Sequence, residues 1–287
     1  MAGQLRYPGK VVIVTRGTAG IGLAIVREFV RQGANVVFCS IPSEAEKGQA
    51  IQRELQNSGC PGDAYFEVCD VRKETDIKRL ISATLERYGC LDCLVNNAGG
   101  SKIDKIDDVT AQDARNAMEF NTLSILLASK YALPYLRETR GNIINLASIA
   151  GMIGAKDRMS YSPCKGAIIA MTKTLAIDES KYGVRVNWKS CPTQIQHLRP
   201  HDLISHELSV EVNIYPSSLE LLQLLGRLGT PEEVALAALY LAADGTFCTG
   251  FNLVVSGGAE IGFGKKAQVD SEPGSGAGGN SQDSSRK

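Results

Sequence analysis

Seven short β-branched runs recur along the chain, and the stretches between them carry a helical spacing instead. The runs are Val11–Thr15, Asn35–Cys39, Ala64–Cys69, Cys93–Asn96, Gly141–Leu146, Val184–Asn187 and Asn252–Ser256. Near-continuous apolar character of this kind predicts strands covered on both faces, as in a parallel sheet. Between the first two runs, Ile21, Ile25, Phe29 and Val30 form one apolar stripe that stops at Gly33. Further helical patterns cover roughly 43–57, 73–88, 110–137, 160–180 and 231–243. The alternation predicts a single α/β domain over residues 1–264, a doubly wound seven-stranded parallel sheet with right-handed crossovers.

Two regions break this pattern. Residues 190–227 contain Pro192, Pro200, Pro216 and all three histidines, and read as a substrate loop or lid. Residues 265–287 are rich in Gly, Ser and Asp, bury too little apolar surface to offset ordering, and read as a disordered tail.

Charge and cysteine usage narrow the function classes. The 31 basic and 31 acidic residues cancel, so neither nucleic acid nor an anionic membrane is an expected partner. The longest apolar run, Val234 to Ala243, is about half what a spanning helix needs. The first residues hold no apolar signal core, so the eight cysteines read as reduced thiols of a cytoplasmic protein. Cys90 and Cys93 lack the second pair of a zinc ribbon, and Pro200 interrupts the spacing of His197, His201 and His206. No metal is expected.

The first run leads straight into Thr15-Arg-Gly-Thr-Ala-Gly-Ile-Gly22 and then a helix. Gly17, Gly20 and Gly22 permit a tight turn whose backbone N–H groups, with the helix dipole, can hold a phosphate. In a nucleotide fold an acid is expected near the end of the second strand to bind a ribose hydroxyl. Ser40 stands there instead, without a following arginine, so the choice between NAD and NADP stays open.

Three later segments carry chemistry: Asn96-Asn97-Ala98-Gly99, Ser148 at the end of the fifth run, and Tyr161-Ser-Pro-Cys-Lys165. Tyr and Lys at i and i+4 share a helix face. An ammonium beside a phenol favours the phenolate and lowers its pKa from about 10 toward useful proton transfer. A serine hydroxyl opposite can hydrogen-bond a substrate oxygen as a hydride arrives or leaves.

On these residues the chain resembles the short-chain dehydrogenase/reductase family over residues 7 to about 264, a Rossmann-type fold. Arg6-Tyr7, Leu91–Gly99, Ala132–Arg137, Asp178-Glu-Ser and Phe247–Gly250 are similar to its 17-beta-hydroxysteroid dehydrogenase branch. The resemblance implies NAD(P)-dependent interconversion of a secondary alcohol and a ketone, with a small apolar alcohol such as a steroid as substrate. It implies Tyr161 as general acid/base, Lys165 as holder of the nicotinamide ribose, Ser148 as substrate ligand and Asn121 as part of a proton relay. It also implies cofactor contacts from Thr15, Arg16, Gly17, Gly20, Ile21, Gly22, Ser40, Asp70, Val71, Asn97, Ala98 and Gly99. A homotetramer, built partly through the helices near 110–137 and 160–180, is implied as well.

Four positions depart from the family pattern. Arg16 replaces a glycine, and either obstructs the cofactor or pairs with one of its phosphates. Ser40 replaces the expected acid. Pro163 lies between Tyr161 and Lys165, which is tolerable where the helix starts near Ser160. Cys191-Pro192 stands where Pro-Gly is expected. These departures leave a second reading, a catalytically silent binding or regulatory paralogue.

Overall fold

A computed structural model describes residues 4–190 and 223–261. The sheet is built from β1 (Val11–Val14), β2 (Asn35–Ser40), β3 (Asp63–Val68), β4 (Cys93–Asn96), β5 (Asn142–Leu146), β6 (Arg185–Ser190) and β7 (Asn252–Val254). All six pairings are parallel and the order is β3-β2-β1-β4-β5-β6-β7. The expected seven-stranded doubly wound sheet is therefore present.

The helices are α1 (Gly20–Arg31), α2 (Ala45–Gln56), α3 (Glu74–Tyr88), α4 (Ala111–Met118), α5 (Ser124–Thr139), α6 (Ala150–Ile153), α7 (Tyr161–Glu179) and α8 (Pro231–Leu239). On one face, Ile25, Phe29 and Val30 of α1 and Val234, Ala238 and Leu239 of α8 pack on Val12, Val14 and Val95. On the other, Ile77 and Leu80 of α3 and Ala132 and Leu136 of α5 pack on Ile13, Val37 and Leu94. Two buried apolar layers explain why the strands lack polar alternation.

The pattern expected to run unbroken over 110–137 is interrupted. A π-helical turn, Glu119–Leu123, separates α4 from α5. Such turns insert a residue into the helical ladder and occur mostly at functional sites. Pro163 falls in the first turn of α7, where its missing N–H leaves no helical bond unmade. The reversal of strand order across the sheet falls between β1 and β4, which opens a crevice at their carboxyl ends. Most of the expected substrate segment (191–222 of 190–227), the Cys191-Pro192 pair, the three histidines and the tail lie outside the described residues.

Candidate active site

The crevice is tied together from both sides. Thr15 Oγ1 accepts hydrogen bonds from the backbone N–H groups of Asn97 and Ala98, at 3.0 and 2.9 Å. Asn97 Nδ2 donates to the carbonyls of Thr15 and Arg16, at 3.0 and 3.1 Å. The glycine turn is equally dense. A Cβ on Gly22 would sit 2.2 Å from the Arg16 carbonyl oxygen, and one on Gly17 would sit 2.6 Å from Phe38 Cβ. Gly20 has φ +53 with no atom within 4 Å of a Cβ built there, so the space above the first turn of α1 is open. That turn, including Ile21, carries no acidic residue and no side-chain cap. Its N–H groups and dipole therefore suit an anion. Open space, free donors and a neutral Ser40 together fit the dinucleotide that the family uses.

The remaining expected cofactor residues are placed as follows. Ser40, buried at the end of β2, accepts a hydrogen bond from Thr18 Oγ1 at 3.1 Å. Asp70 is buried after β3, and its two oxygens accept from Arg72 Nε and Nη2 at 2.9 and 2.7 Å. The Arg72 guanidinium holds the Asp70 carboxyl below the usual carboxylate range. Val71 is buried in the α3–α5 core layer.

The four expected catalytic residues are all buried, Ser148 just beyond the end of β5, Tyr161 and Lys165 in the first turns of α7 and Asn121 on the π turn. Asn121, Ser148, Tyr161 and Lys165 are 2, 1, 8 and 4% exposed, respectively. Lys165 Nζ donates to the Leu146 carbonyl at 2.7 Å and lies 5.5 Å from the centre of the Tyr161 ring. The π turn places Asn121 so that its Oδ1 accepts from the N–H of Gly100 at 3.0 Å, while Nδ2 donates to Ala117 O. A Cβ on Gly99 would stand 2.9 Å from Asn121 Oδ1 and 3.4 Å from Lys165 Nζ, so both polar groups meet over this glycine. Ser148 Oγ accepts from the N–H of Ala150, which fixes the serine at the start of the following loop.

Several further residues support this arrangement. Asn96 Nδ2 donates to Asn145 Oδ1 at 2.8 Å, and Asn145 Nδ2 donates to Thr172 Oγ1 at 2.8 Å. This buried network locks β4, β5 and α7 in register. Asparagine in otherwise apolar strands was the available signal. Asp104, also buried, accepts hydrogen bonds from the N–H and hydroxyl of Ser160, and so fixes the residue that precedes Tyr161. Lys189, at the end of β6, is fully buried between Leu146 and Leu253. Trp188 packs with Ile125, Ala147 and Ile168, a core role. Burial pushes the Cys164 thiol up, despite its neighbour Lys165. Cys90 and Cys93 are unpaired free thiols.

Comparison with known proteins adds a second line. Residues 17–260 match the family model described as Enoyl-(Acyl carrier protein) reductase. L-fucose dehydrogenase of Bos taurus is 46% identical over 268 residues, covering 93% of this chain and 95% of the relative. The Mus musculus L-fucose dehydrogenase is 46% identical over 272 residues, covering 94 and 96%. The 2,5-dichloro-2,5-cyclohexadiene-1,4-diol dehydrogenase of Sphingobium indicum is 34% identical over 254 residues, covering 87 and 96%. The mammalian relatives are named for a sugar, which departs from the steroid branch expected above. With the parallel sheet, the glycine turn and the Asn-Ser-Tyr-Lys cluster in place, these matches show that the chain belongs to the short-chain dehydrogenase/reductase family.

Proposed function

We propose that this chain is an NAD(P)-dependent dehydrogenase that oxidises a hydroxyl group of a small sugar or related polyol. The observation that carries the reading is the meeting of Asn121 and Lys165 over Gly99, with the Tyr161 ring 5.5 Å from Lys165 Nζ and the buried Ser148 two residues beyond the Leu146 carbonyl that Lys165 holds, beside an open anion-binding turn. The sugar class comes from the L-fucose dehydrogenase relatives, and the diol dehydrogenase also acts on a carbon bearing a hydroxyl.

A bound nicotinamide dinucleotide supplies the hydride acceptor. The chain's own residues supply the rest. Ser148 holds the substrate oxygen. Tyr161 takes the hydroxyl proton as the carbon gives up its hydride. Lys165 orients the cofactor ribose and keeps positive charge beside the phenol, and Asn121 continues the proton path away from it. Thr15, Asn97, Ala98 and the glycine turn cradle the dinucleotide. Ser40 and Asp70 line its adenosine end, and NAD is the cofactor tried first, with NADP beside it, because Ser40 leaves the choice open.

The test is an oxidation assay with L-fucose, a second aldose and a 17-beta-hydroxysteroid, each with NAD and with NADP. Reduction of one dinucleotide by a sugar is the expected result. Turnover of the steroid alone would return the substrate to the apolar class. Cofactor binding without turnover of any alcohol would favour the silent paralogue.

We also propose a homotetramer. A groove of about 480 Å³ between α5 and α7 is lined by Leu126, Leu133, Met171 and Leu175, and Leu126 is 45% exposed. An apolar strip on two adjacent helices suits a second copy. Light scattering should give four times the chain mass, and a monomer would overturn this assignment. No described helix is long and apolar enough to cross a membrane, and the described cysteines are unpaired. A cytoplasmic location is assigned on the cysteines, for which a reducing compartment is the ordinary setting, and cell fractionation checks it.

A further inference from the structure

Arg16 occupies a position that the backbone reserves for glycine. Its φ is +54, in the left-handed region that L side chains rarely adopt. An arginine held there is strained. The conformation is fixed from outside, because Asn97 Nδ2 donates to the Arg16 carbonyl and the next N–H, of Gly17, donates to Cys39 O at 2.9 Å. Such strain persists only where neighbouring contacts over-determine the conformation.

The side chain then takes a specific course. It is exposed, and its Nη1 donates to the carbonyl oxygen of Gly99. Arg16 follows β1 and Gly99 follows β4, so the arm spans the crevice at which the sheet order reverses. Gly99 is the residue over which Asn121 and Lys165 meet. Ser40 closes β2 on one side of this bridge, and Lys165 stands on the other. A dinucleotide that reaches both must cross the arm.

We propose that Arg16 is a swinging ligand for the cofactor pyrophosphate. This rests on the dehydrogenase reading above. Without cofactor, the guanidinium is parked on the neutral Gly99 carbonyl. With cofactor, it exchanges that single acceptor for phosphate oxygens. A planar guanidinium matches phosphate in a two-pronged, charge-assisted contact that a carbonyl does not offer. The exchange needs only side-chain rotation, since the arm is exposed and the turn is held by its backbone. The open space above Gly20 and the uncapped first turn of α1 place the remaining phosphate donors alongside.

The test compares the full chain with Arg16→Gly and Arg16→Lys. Glycine accepts φ +54 without strain, so the first variant should fold, and a melting curve verifies it. Titration with NADH and NADPH, read by cofactor fluorescence, gives the affinities without any substrate. Arg16→Gly is expected to raise both Kd values by about tenfold, the scale of one charge-assisted contact, and to speed dissociation of both. Arg16→Lys should recover part of the loss. Added salt should weaken the wild-type protein more than the glycine variant. Unchanged or tighter binding by Arg16→Gly would overturn the proposal and make the arm an obstruction. Loss confined to NADPH would overturn it in favour of a ribose 2′-phosphate contact. Wild-type binding of neither dinucleotide would overturn both this proposal and the dehydrogenase reading, whereas wild-type binding unaffected by Arg16→Gly overturns this one alone.

Discussion

Tyr161→Phe should abolish alcohol oxidation while leaving the protein folded and able to bind its cofactor. The substitution removes one oxygen and keeps the ring, which is 8% exposed and packed at the start of α7. Lys165 retains its acceptor, because Nζ donates to the Leu146 carbonyl on β5. What disappears is the only phenol in the cluster and, with it, the group assigned to take the substrate proton. General acid–base catalysis contributes about 10²–10⁴-fold, so turnover should fall by at least that range. The measurement is steady-state oxidation of the active sugar, with NADH affinity and the melting curve recorded beside it. Turnover at the wild-type rate would remove Tyr161 from the mechanism. Parallel loss of cofactor binding and folding would instead mark the phenol as structural.

Gly22→Ala should be the most damaging single methyl in the crevice. A Cβ there lands 2.2 Å from the Arg16 carbonyl oxygen and 2.5 Å from Asn97 Nδ2. Both atoms belong to the contact that ties the turn to β4, so neither can yield without moving the turn or breaking the Asn97 bond. Overpacking at a rigid backbone contact costs about 1–3 kcal/mol, and the upper end is expected here. Cofactor affinity should fall at least tenfold, since the displaced carbonyl borders the anion-binding turn. Gly20→Ala is the contrasting variant. In the free protein it meets no atom within 4 Å and suffers only from its φ of +53, a penalty of about 1 kcal/mol, while its methyl enters the space assigned to the cofactor. Chemical denaturation and NADH titration of the two variants should separate the clash from the backbone strain. Equal, small effects at both positions would show that the turn is softer than its contacts imply.

Local chemistry carried much of the fold. The β-branched runs announced every strand, and each starts and ends within a few residues of its place in the sheet. The glycine turn, Ser148 and the Tyr161–Lys165 spacing were visible because each is a short-range pattern. The first-turn position of Pro163 followed from the same logic, as proline is accepted only where its absent N–H has no helical partner. The helix expected over 110–137 was an amphipathic pattern without the means to reveal its π turn. One inserted residue leaves the apolar spacing nearly intact while rotating Asn121 into the site.

Substrate class was less legible. The steroid branch was inferred from stretches such as Leu91–Gly99, which lie in the sheet and cofactor crevice rather than at the substrate. Those stretches belong to the framework of the fold. Relatives named for L-fucose share the same framework at 46% identity.

The sequence by itself determined the strand and helix periods, the glycine turn and the residue types of the proposed catalytic set, because these depend on neighbours a few positions away. Tertiary structure alone decided the rest. Arg16 reaches Gly99 across 83 residues, Asp104 fixes Ser160 across 56, and Asn96 meets Asn145 across 49. Burial of Lys189 between β5 and β7 belongs to the same class. Such contacts form when a parallel sheet brings distant strand ends to one edge, and local spacing holds no record of which ends will meet.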